Sequence, residues 1–437
     1  MEDRLGMVSV HKDSSKKSMA NNVFNSLKSK QSMNAQNNTL WVIAESFYPE
    51  DNGTGYQLTS LALELSKIYA IRVITAVPEK LSHEKYNLHE QYRGICIRRI
   101  KVDYFDRHRL PFRFVNILIH SFKLMVLLLK NMRRTDKVLV VGNPPTLPYI
   151  VLIASKLISV KVILVLYDLY PEALAVVDVL STNSFTFKAL DYAARYLFKK
   201  VYKIVVLGRD MQDLLLRKEP YLKSKICLIP SWAESTIIMP KNIKQNIILK
   251  KFNLVDKFIF QYSGNLGRTH NIEAILELAK ASESVKNLHF LIIGDGAKKK
   301  WLDQALYAHP LSNVTTHTFF SNDLRCEVQN AAHIGIISFI PGMSGISVPS
   351  RMYNMMAAGK PILAIVDPNS EVAMTLREEK IGWVVPSDKP LNALPVILNI
   401  MGNPDMVLDM GNRARKLAED KYSINNAADK YLEILSS

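Results

Sequence analysis

The sequence predicts an α/β protein with two doubly wound parallel sheets that face each other across a cleft. Short apolar segments alternate with amphipathic segments along most of the 437 residues, a pattern typical of strand–helix–strand units. A polar stretch at residues 240–246 interrupts this alternation, and the pattern then begins again. A join near residue 235 therefore divides the chain into two such domains. A ligand site is expected in the cleft between them.

Strands of the first half are predicted where short runs of Val, Ile and Leu occur, because these side chains suit a buried sheet. The runs are residues 40–44, 71–77, 95–102, 138–141, 161–167, 204–207 and 226–229. Residues 55–69 are predicted as the first helix, since apolar residues from Leu58 to Ile68 recur at helical spacing.

The second half repeats the pattern and ends in two predicted helices at residues 404–435. Its strands are predicted at 258–262, 289–293, 334–339 and 362–365, with helices at 272–282, 298–307 and 323–332. The expected divisions are a flexible tail at 1–38, an N-terminal domain at 39–235, a C-terminal domain at 236–405, and helices at 406–437 that pack back toward the first domain.

Composition indicates a globular protein with an acidic partner. Apolar residues make up 48% of the chain and charged residues 22%, which is enough for a large core. Three scattered cysteines, Cys96, Cys227 and Cys326, fit a reducing compartment. The formal charge of +16 favours nucleic acid, anionic lipid or a phosphorylated substrate as partner. Residues 1–38 lack the apolar core of a signal peptide.

Residues 114–130, FVNILIHSFKLMVLLLK, form an apolar segment that is predicted to be helical. At about 17 residues it is shorter than the roughly 20 needed to cross a bilayer. Its basic flanks favour a helix lying on anionic lipid over the alternative, a buried core helix with solvated charges. These flanks are Arg107, Arg109, Arg113, Arg133 and Arg134.

No transmembrane span is predicted anywhere in the chain. Residues 147–166 are also apolar, but Lys156 and Lys161 lie inside the segment, which is better divided into a helix and a buried strand. Nucleic-acid binding is disfavoured, because the basic block at 98–137 is interleaved with aliphatic rather than base-stacking aromatic residues.

The segment SGISVPSRMYNMMAAGKP at residues 344–361 is predicted to begin a helix that binds an anion. Pro349 suits a first helical turn and Ser347 is the predicted N-cap. With Ser350, Arg351 and Asn354 on the same face, the positive end of the helix suits a phosphate. The alternative is an ordinary amphipathic helix packed on the sheet.

Two glycine-rich turns follow predicted strands of the second half. In the first turn, backbone N–H groups are expected to approach phosphate oxygens, and Arg268 and His270 add charge. Its other candidate residues are Gly264, Asn265 and Gly267. The second turn, Gly294, Asp295 and Gly296, lies where a nucleotide is expected, although such a turn is also common without a ligand.

Two motifs of the first half carry further candidates. Asp168 and Glu172 follow the strand at 161–167, so their carboxylates are candidate bases or hydroxyl-binding groups, with a helix N-cap as the alternative for Asp168. The segment EDNGTG at 50–55 lacks the third glycine of GxGxxG, which disfavours a nicotinamide or flavin site.

No metal or cofactor is predicted. The His-Glu pairs at 83–84 and 89–90 lack the spacing of a zinc helix. The chain also contains neither an Asp-x-Asp pair for a metal–diphosphate complex nor the GxxxxGK[ST] motif of ATP hydrolysis.

Taken together and in this order, the motifs resemble glycosyltransferase family 4, in particular fucosaminyltransferase-like enzymes of bacterial O-antigen, capsule and exopolysaccharide synthesis. The resemblance covers roughly residues 40–430. The matching segments are FYPEDNGTG (47–55), NPP (143–145), DLYPE (168–172), YSGNLGR (262–268), GDG (294–296) and SVPSRMYNMMAAGKP (347–361).

The resemblance implies the GT-B fold, two Rossmann-like domains around a cleft. It also implies metal-independent, anomer-retaining transfer of a hexosyl or N-acetylaminosugar unit from a nucleotide-diphosphate sugar, with UDP favoured over GDP. The implied acceptor is a polyprenyl-diphosphate-linked saccharide, and the implied location is the inner face of the cell membrane.

Site residues follow from the same resemblance. The segment Ile346, Ser347 and Val348 would hold the donor diphosphate, assisted first by Arg268, which counts with Asp168 and Glu172 among the catalytic residues, and second by Arg351. Asp168 would lie near the reacting hydroxyl. The loop of Asn52, Gly53, Thr54 and Gly55 would line the acceptor side.

This sequence departs from the family pattern at several positions. The usual pair of glutamates falls on Ile346 and Asn354, the usual Arg and Lys of the first turn fall on Asn265 and His270, and a usual histidine is Tyr167. Two alternatives therefore stay open: a sugar-nucleotide epimerase of the same fold, and a weakened family member that acts as a scaffold.

Overall fold

The computed structural model describes residues 39–50, 52–78, 87–101 and 110–437, with only the helical backbone described for 110–118. Several predictions concern residues outside these ranges. They are the flexible tail at 1–38, Asp51 of the 50–55 segment, the His-Glu pair at 83–84, and the flanking residues Arg107 and Arg109.

The first domain contains an eight-stranded sheet with the order β3-β4-β2-β1-β5-β6-β7-β8, in which β3 alone is antiparallel to its neighbour. Its strands are β1 (Thr39–Ile43), β2 (Ala70–Ala76), β3 (His89–Tyr92), β4 (Ile95–Ile100), β5 (Lys137–Val141), β6 (Lys161–Leu166), β7 (Lys203–Val206) and β8 (Ile226–Leu228). Its helices are α1 (Gly53–Leu65), α2 (Leu110–Asn131), α3 (Leu147–Ile158), α4 (Glu172–Val176), α5 (Phe185–Lys200) and α6 (Arg209–Lys218).

The second domain contains a six-stranded, fully parallel sheet with the order β11-β10-β9-β12-β13-β14. Its strands are β9 (Phe258–Ser263), β10 (Leu288–Ile293), β11 (Val314–His317), β12 (Ile334–Ser338), β13 (Ile362–Val366) and β14 (Gly382–Pro386). Its helices are α7 (Ile247–Lys251), α8 (Ile272–Ala281), α9 (Lys299–Ala308), α10 (Arg325–Asn330), α11 (Arg351–Ala357), α12 (Glu371–Glu379), α13 (Ala393–Met401) and α14 (Pro404–Asp420), followed by α15 (Ile424–Ser436).

Alternate residues of each strand enter opposite faces of the sheet, as the pleat requires. In β1, for example, Trp41 and Ile43 belong to one apolar cluster and Leu40 and Val42 to another. Both sheets are therefore covered on both faces, and the predicted fold class is confirmed.

The three strands that the sequence did not predict, β3, β11 and β14, lie at sheet edges. Their sequences, HEQY, VTTH and GWVVP, lack the continuous Val, Ile and Leu content of the central strands because edge strands are less buried.

The two terminal helices pack on different domains. Helix α14 packs against α11, and its Ala414 and Ala418 are fully buried in a cluster of the second domain. Helix α15 packs against α1, and its Tyr431 and Leu435 belong to a core cluster of the first domain. Only the last helix therefore returns to the first domain.

Helix α2 contributes one face to the core and another to solvent. Leu124 and Leu128 are fully buried in an apolar cluster of the first domain, so this face of the segment predicted to lie on lipid is core. Phe122, which is 70% exposed, and Leu129 lie on the outer surface. No helix in the described part of the chain is long and apolar enough to cross a membrane.

Each sheet reverses its strand order once, between β1 and β5 and between β9 and β12. At such a point the loops at the carboxyl ends of the strands diverge and leave a crevice for a ligand. The segments that follow β1, β9 and β12 therefore meet at the interface between the domains. These are the segments in which the sequence motifs lie.

Asp210, at the start of α6, joins the two domains at this interface. Its carboxylate Oδ2 accepts hydrogen bonds from the backbone N–H groups of Gly345 and Glu371 of the second domain, both at 2.9 Å. Next to it, Arg209 Nε donates to Glu371 Oε2 at 3.0 Å and Arg209 Nη1 to Glu378 at 2.7 Å. The segment that precedes α11 is thereby fixed against the first domain.

Replacing Asp210 by Ala is expected to lower the free energy of unfolding by about 2 to 4 kcal/mol, because buried N–H groups lose their acceptor. Asp213→Ala is the matched control, since Asp213 is exposed on the same helix, and should change it by less than about 0.5 kcal/mol. Urea unfolding measures both. Equal losses in the two variants would contradict a domain-joining role for Asp210.

Candidate active site

Asp168 and Ser347 meet across the interface between the domains. They form an isolated antiparallel β-bridge, and the N–H of Leu169 donates to the carbonyl of Ile346 at 2.9 Å. Burial raises the pKa of the Asp168 carboxyl, and a hydrogen bond with the Ser347 side chain opposes that rise. The predicted base or hydroxyl-binding group therefore lies directly against the predicted anion-binding segment.

The prediction that Ser347 caps a helix is wrong. Helix α11 has only seven residues and begins at Arg351, with Ser350 at its N-cap. Before it, Pro349 and Ser350 form a tight turn, with the Met352 N–H donating to the Pro349 carbonyl at 3.2 Å. Ser347 is instead held in an extended conformation by its pairing with Asp168.

The side chains of Ile346 and Val348, predicted to contact the donor, are buried with 3% and 5% of their surface exposed. Ile346 belongs to an apolar cluster of the second domain, and Val348 Cγ2 lies close to Gly208 of the first. Both side chains pack in the protein, so only their backbone groups are available to a ligand.

The two glycine-rich turns lie in direct contact. A Cβ added to Gly294 would lie 2.0 Å from the carbonyl oxygen of Gly264, and one added to Gly296 would lie 2.4 Å from Asn265 Oδ1. The N–H of Leu266 donates to the Asp295 carbonyl at 2.8 Å. Glycine is therefore required where the turns meet, and they form one surface at the carboxyl ends of β9 and β10.

Arg351 is held over the first of these turns. Its guanidinium carbon lies 4.5 Å from the centre of the buried Tyr262 ring, and its Nη2 contacts His270 Nε2 at 2.8 Å. A Cβ on Gly264 would lie 2.8 Å from Arg351 Cζ, so glycine is needed there. Arg351 Nη1 is buried and has no hydrogen-bond partner among the described groups.

His270 serves as an acceptor in this arrangement. Burial, together with the positive charges of Arg351 and Lys298, holds the pKa of His270 well below its usual range. The ring is therefore neutral near pH 7 and can accept a hydrogen bond from the guanidinium. Lys298 Nζ supports the turn by donating to the carbonyl of His270 at 2.8 Å and to Glu273 at 2.7 Å.

The remaining predicted residues of the turns are more open. Asn265, Arg268 and Asp295 are exposed, and the Asp295 carboxylate accepts the N–H of Gly296 at 2.7 Å. Gly267 lies within the first turn, close to the Asn265 and His270 side chains. Arg268 is thus an exposed surface cation, whereas Arg351 is held by its contacts with Tyr262 and His270.

The loop before α1 reaches the same interface. Asn52 caps the helix by accepting the Gly55 N–H at 2.8 Å, and its amide donates to Ser46 and Glu50. A Cβ added to Gly53 would lie 3.0 Å from Ser350 Oγ. Gly53 and the adjacent Thr54 therefore lie beside the turn that starts α11.

Glu172 is paired with a lysine of α6. Its carboxylate forms an ion pair with Lys218, which also pairs with Asp191 on α5. The other carboxylate oxygen, Oε2, is buried without a hydrogen-bond partner among the described groups, and the catalytic role of Glu172 stays a prediction.

Glu234 is a functional candidate that the sequence analysis missed. This buried carboxylate lies in the connection between the domains and accepts a hydrogen bond from Arg325 Nη1 at 2.8 Å. The Asn354 amide also contacts it, at 3.3 Å, and Tyr56 of α1 hydrogen-bonds to it. Burial raises the pKa of Glu234, with Arg325 opposing the rise. No local motif marks it, because its partners lie far away in sequence.

The comparisons with known proteins agree with this geometry. Residues 244–417 match the model of glycosyl transferases group 1. The chain is 28% identical over 332 residues to the probable glycosyltransferase WbjE of Pseudomonas aeruginosa, covering 75% of this chain and 80% of that protein.

Solved structures show the same fold. Sucrose-phosphate synthase from Thermosynechococcus elongatus aligns with a TM-score of 0.73 at 13% identity, covering 91% of this chain and 98% of that one. The Anabaena protein HepE in complex with UDP-glucose aligns with a TM-score of 0.69 at 13% identity, covering 91% and 99%. The fold is therefore GT-B. The protein is a glycosyltransferase, as the sequence predicts.

The buried Glu234 carboxyl predicts a pH dependence. Its pKa is raised in the folded state, so at pH values above about 4.3 the folded protein keeps a proton that the unfolded chain releases. Its contribution to stability therefore falls as the pH rises through the raised pKa. The free energy of unfolding of the wild type, relative to Glu234→Gln, should decrease with pH across this window.

Urea unfolding at a series of pH values measures this difference, with Glu277→Gln as control because Glu277 is exposed. The control difference should stay flat with pH. A wild-type advantage that grows with pH would mean that the ion pair with Arg325 outweighs burial.

Proposed function

We propose that the protein transfers a sugar from a nucleotide-diphosphate sugar to a lipid-linked saccharide, with retention of anomeric configuration and without a metal. The single observation that carries this proposal is the fixed Arg351 guanidinium over the glycine turn, with one buried nitrogen that has no partner in the described structure. A buried donor without an acceptor is costly. A diphosphate oxygen would satisfy it.

The donor diphosphate is proposed to lie between the 264–267 turn and the 346–351 segment. Arg351, and to a smaller extent Arg268, would stabilise the negative charge that develops on the leaving diphosphate, the role that a metal has in other enzymes. His270 holds Arg351 in position. UDP is the favoured nucleotide, and the similar HepE structure contains UDP-glucose.

Asp168 is proposed to orient the acceptor. In the transfer, the bond between the anomeric carbon and the diphosphate oxygen breaks, the acceptor hydroxyl oxygen bonds to that carbon, and the hydroxyl proton passes to the departing diphosphate oxygen. Asp168 would accept a hydrogen bond from this hydroxyl, since its carboxylate lies beside Ser347 at the interface. Gly53 and Thr54 would contact the acceptor, because they lie near Ser350.

Glu234 and Asn354 are proposed to bind hydroxyl groups of the donor. Asn354 lies one turn beyond Arg351, and Glu234 adds a buried carboxylate next to it. Carboxylates bind hydroxyl groups more strongly than amides do. Glu234 therefore supplies a carboxylate next to Asn354, which itself offers only an amide.

Three parts of the proposal rest on the motif resemblance. They are the lipid-linked acceptor, the role in bacterial surface polysaccharide synthesis, and the location at the inner face of the membrane. The outer face of α2 supports membrane association, because exposed Phe122 and Leu129 lie next to the exposed Lys123 and Lys130. This combination suits an anionic lipid surface.

Whether Arg351 or Arg268 contributes more to diphosphate binding is testable. Arg351→Lys keeps the charge but loses the planar fork, and should weaken UDP binding about tenfold or more, as expected for a lost charge-assisted hydrogen bond. Arg268→Lys is the matched control and should change the affinity about twofold, because Arg268 is exposed. Isothermal titration calorimetry measures both. The reverse order would contradict Arg351 as the main diphosphate contact.

The proposed reaction is tested by incubating the protein with bacterial lipid extract and UDP- or GDP-sugars, and measuring extension of lipid-linked saccharides. Asp168→Asn should reduce turnover by about 10²- to 10⁴-fold with donor affinity unchanged. Glu172→Gln should keep turnover within about threefold but lower stability, because Lys218 loses a partner.

Other outcomes separate the alternatives. Interconversion of free nucleotide sugars without an acceptor would favour an epimerase. Donor binding without any transfer would favour a scaffold. Loss of donor binding in Asp168→Asn would assign this residue to the donor rather than the acceptor.

A further inference from the structure

Lysines mark the edge of the first sheet that lies opposite the candidate active site. Three adjacent parallel strands, β5, β6 and β7, begin with Lys137, Lys161 and Lys203. The active-site motifs follow the carboxyl ends of strands, whereas these residues lie at the amino ends. The positive charge here is therefore separate from the charge that faces the cleft.

A cavity of about 490 Å³ opens at this edge, between the C-terminal ends of α3 and α5. Five of its lining residues are lysines: Lys156, Lys161, Lys200, Lys203 and Lys225. None of its described lining residues is Asp or Glu. In addition, Ser155 is a lining residue, and its hydroxyl is buried without a hydrogen-bond partner among the described groups.

Three of the five lysines are held by uncharged groups, whereas Lys161 Nζ donates to an oxygen of Ser437, the last residue of the sequence, at 2.9 Å. Lys156 Nζ donates to the Tyr196 hydroxyl at 2.9 Å, and Lys203 Nζ to the Ser224 carbonyl at 2.9 Å. Lys225 Nζ donates to two backbone carbonyls, those of residues 199 and 201, at 2.6 and 2.8 Å. Burial, and to a smaller extent Lys200, lowers the pKa of Lys225. The contacts of Lys156, Lys203 and Lys225 fix these three ammonium groups without neutralising them.

Exposed apolar and aromatic side chains lie on α3 and α5, the two helices whose C-terminal ends line the cavity. On the last turns of α3, Ile153 and Leu157 are 53% and 69% exposed, and Lys156 lies on the same face at helical spacing. On α5, two tyrosines are exposed: Tyr196 one turn before Lys200, and Tyr192 two turns before it. A cationic cavity with an apolar and aromatic rim matches the boundary between lipid headgroups and acyl chains.

We infer that this cavity binds the phosphate of an anionic lipid headgroup and so orients the first domain on the membrane surface. The ammonium groups would contact the phosphate, and the Ser155 hydroxyl would donate to it. Ile153 and Leu157 would enter the acyl boundary. This inference rests on the proposed membrane association but assigns it to a defined site, separate from the outer face of α2.

The test compares two double variants that remove the same charge. Lys156→Gln with Lys200→Gln alters the cavity, while Lys280→Gln with Lys286→Gln alters exposed lysines of the second domain. All four side chains are exposed, so both proteins should fold normally. Binding is measured by co-sedimentation with vesicles of phosphatidylcholine alone, or of phosphatidylcholine with phosphatidylglycerol, with UDP titration as a control for the active site.

The cavity variant should bind the anionic vesicles about 25-fold more weakly, roughly fivefold for each lysine near an anionic surface, while the control changes less than about twofold. UDP affinity should be unchanged in both. Ser155→Ala should weaken vesicle binding further without loss of stability.

Three results would overturn the inference. Equal losses in both double variants would mean that net charge alone governs binding. Unchanged binding in the cavity variant, with the wild type bound to vesicles, would reject this site and leave the membrane proposal intact. If removal of the cavity lysines leaves vesicle binding unchanged and inorganic pyrophosphate binds at the cavity, the site belongs to a soluble anion.

Discussion

The contact between the 340–350 segment and the first domain is the constraint on which the site depends. Asp210 accepts N–H groups from Gly345 and Glu371, and Leu169 donates to the Ile346 carbonyl. These backbone contacts fix a segment that has no regular secondary structure of its own, and they bring Asp168 next to Ser347. Because the partners come from different domains, the site is complete only when the two domains are in contact.

The fold followed from the sequence because central strands of a parallel sheet are buried on both faces and carry continuous apolar runs. The edge strands β3, β11 and β14 lack such runs and were missed. The start of α11 was misplaced for a different reason. Ser347 and Pro349 carry the signals of a helix start, but pairing with Asp168 keeps Ser347 extended, and such a tertiary contact cannot be recognised from the local sequence.

The site was predicted in part. The motif segments do meet, since each follows a strand near a reversal of strand order, and this placement is a property of the fold. The roles of the individual cations could not be predicted from the position of their segments in the fold. The sequence favours Arg268 over Arg351, but in the structure only Arg351 has an aromatic ring beneath it and a neutral histidine beside it. Glu234 carried no signal, since Tyr56, Arg325 and Asn354 are remote in sequence.

The return of helix α15 to the first domain means that the chain crosses between the domains twice. The two crossings touch, because the N–H of Ala233 donates to the carbonyl of Tyr422 at 2.7 Å. Because the two connections lie side by side, opening of the cleft would also have to break the contacts that Asp210 and Asp168 make with the second domain. Glu234 follows Ala233 directly. A hydroxyl group that hydrogen-bonds to the Glu234 carboxylate would therefore contact the connection between the domains itself.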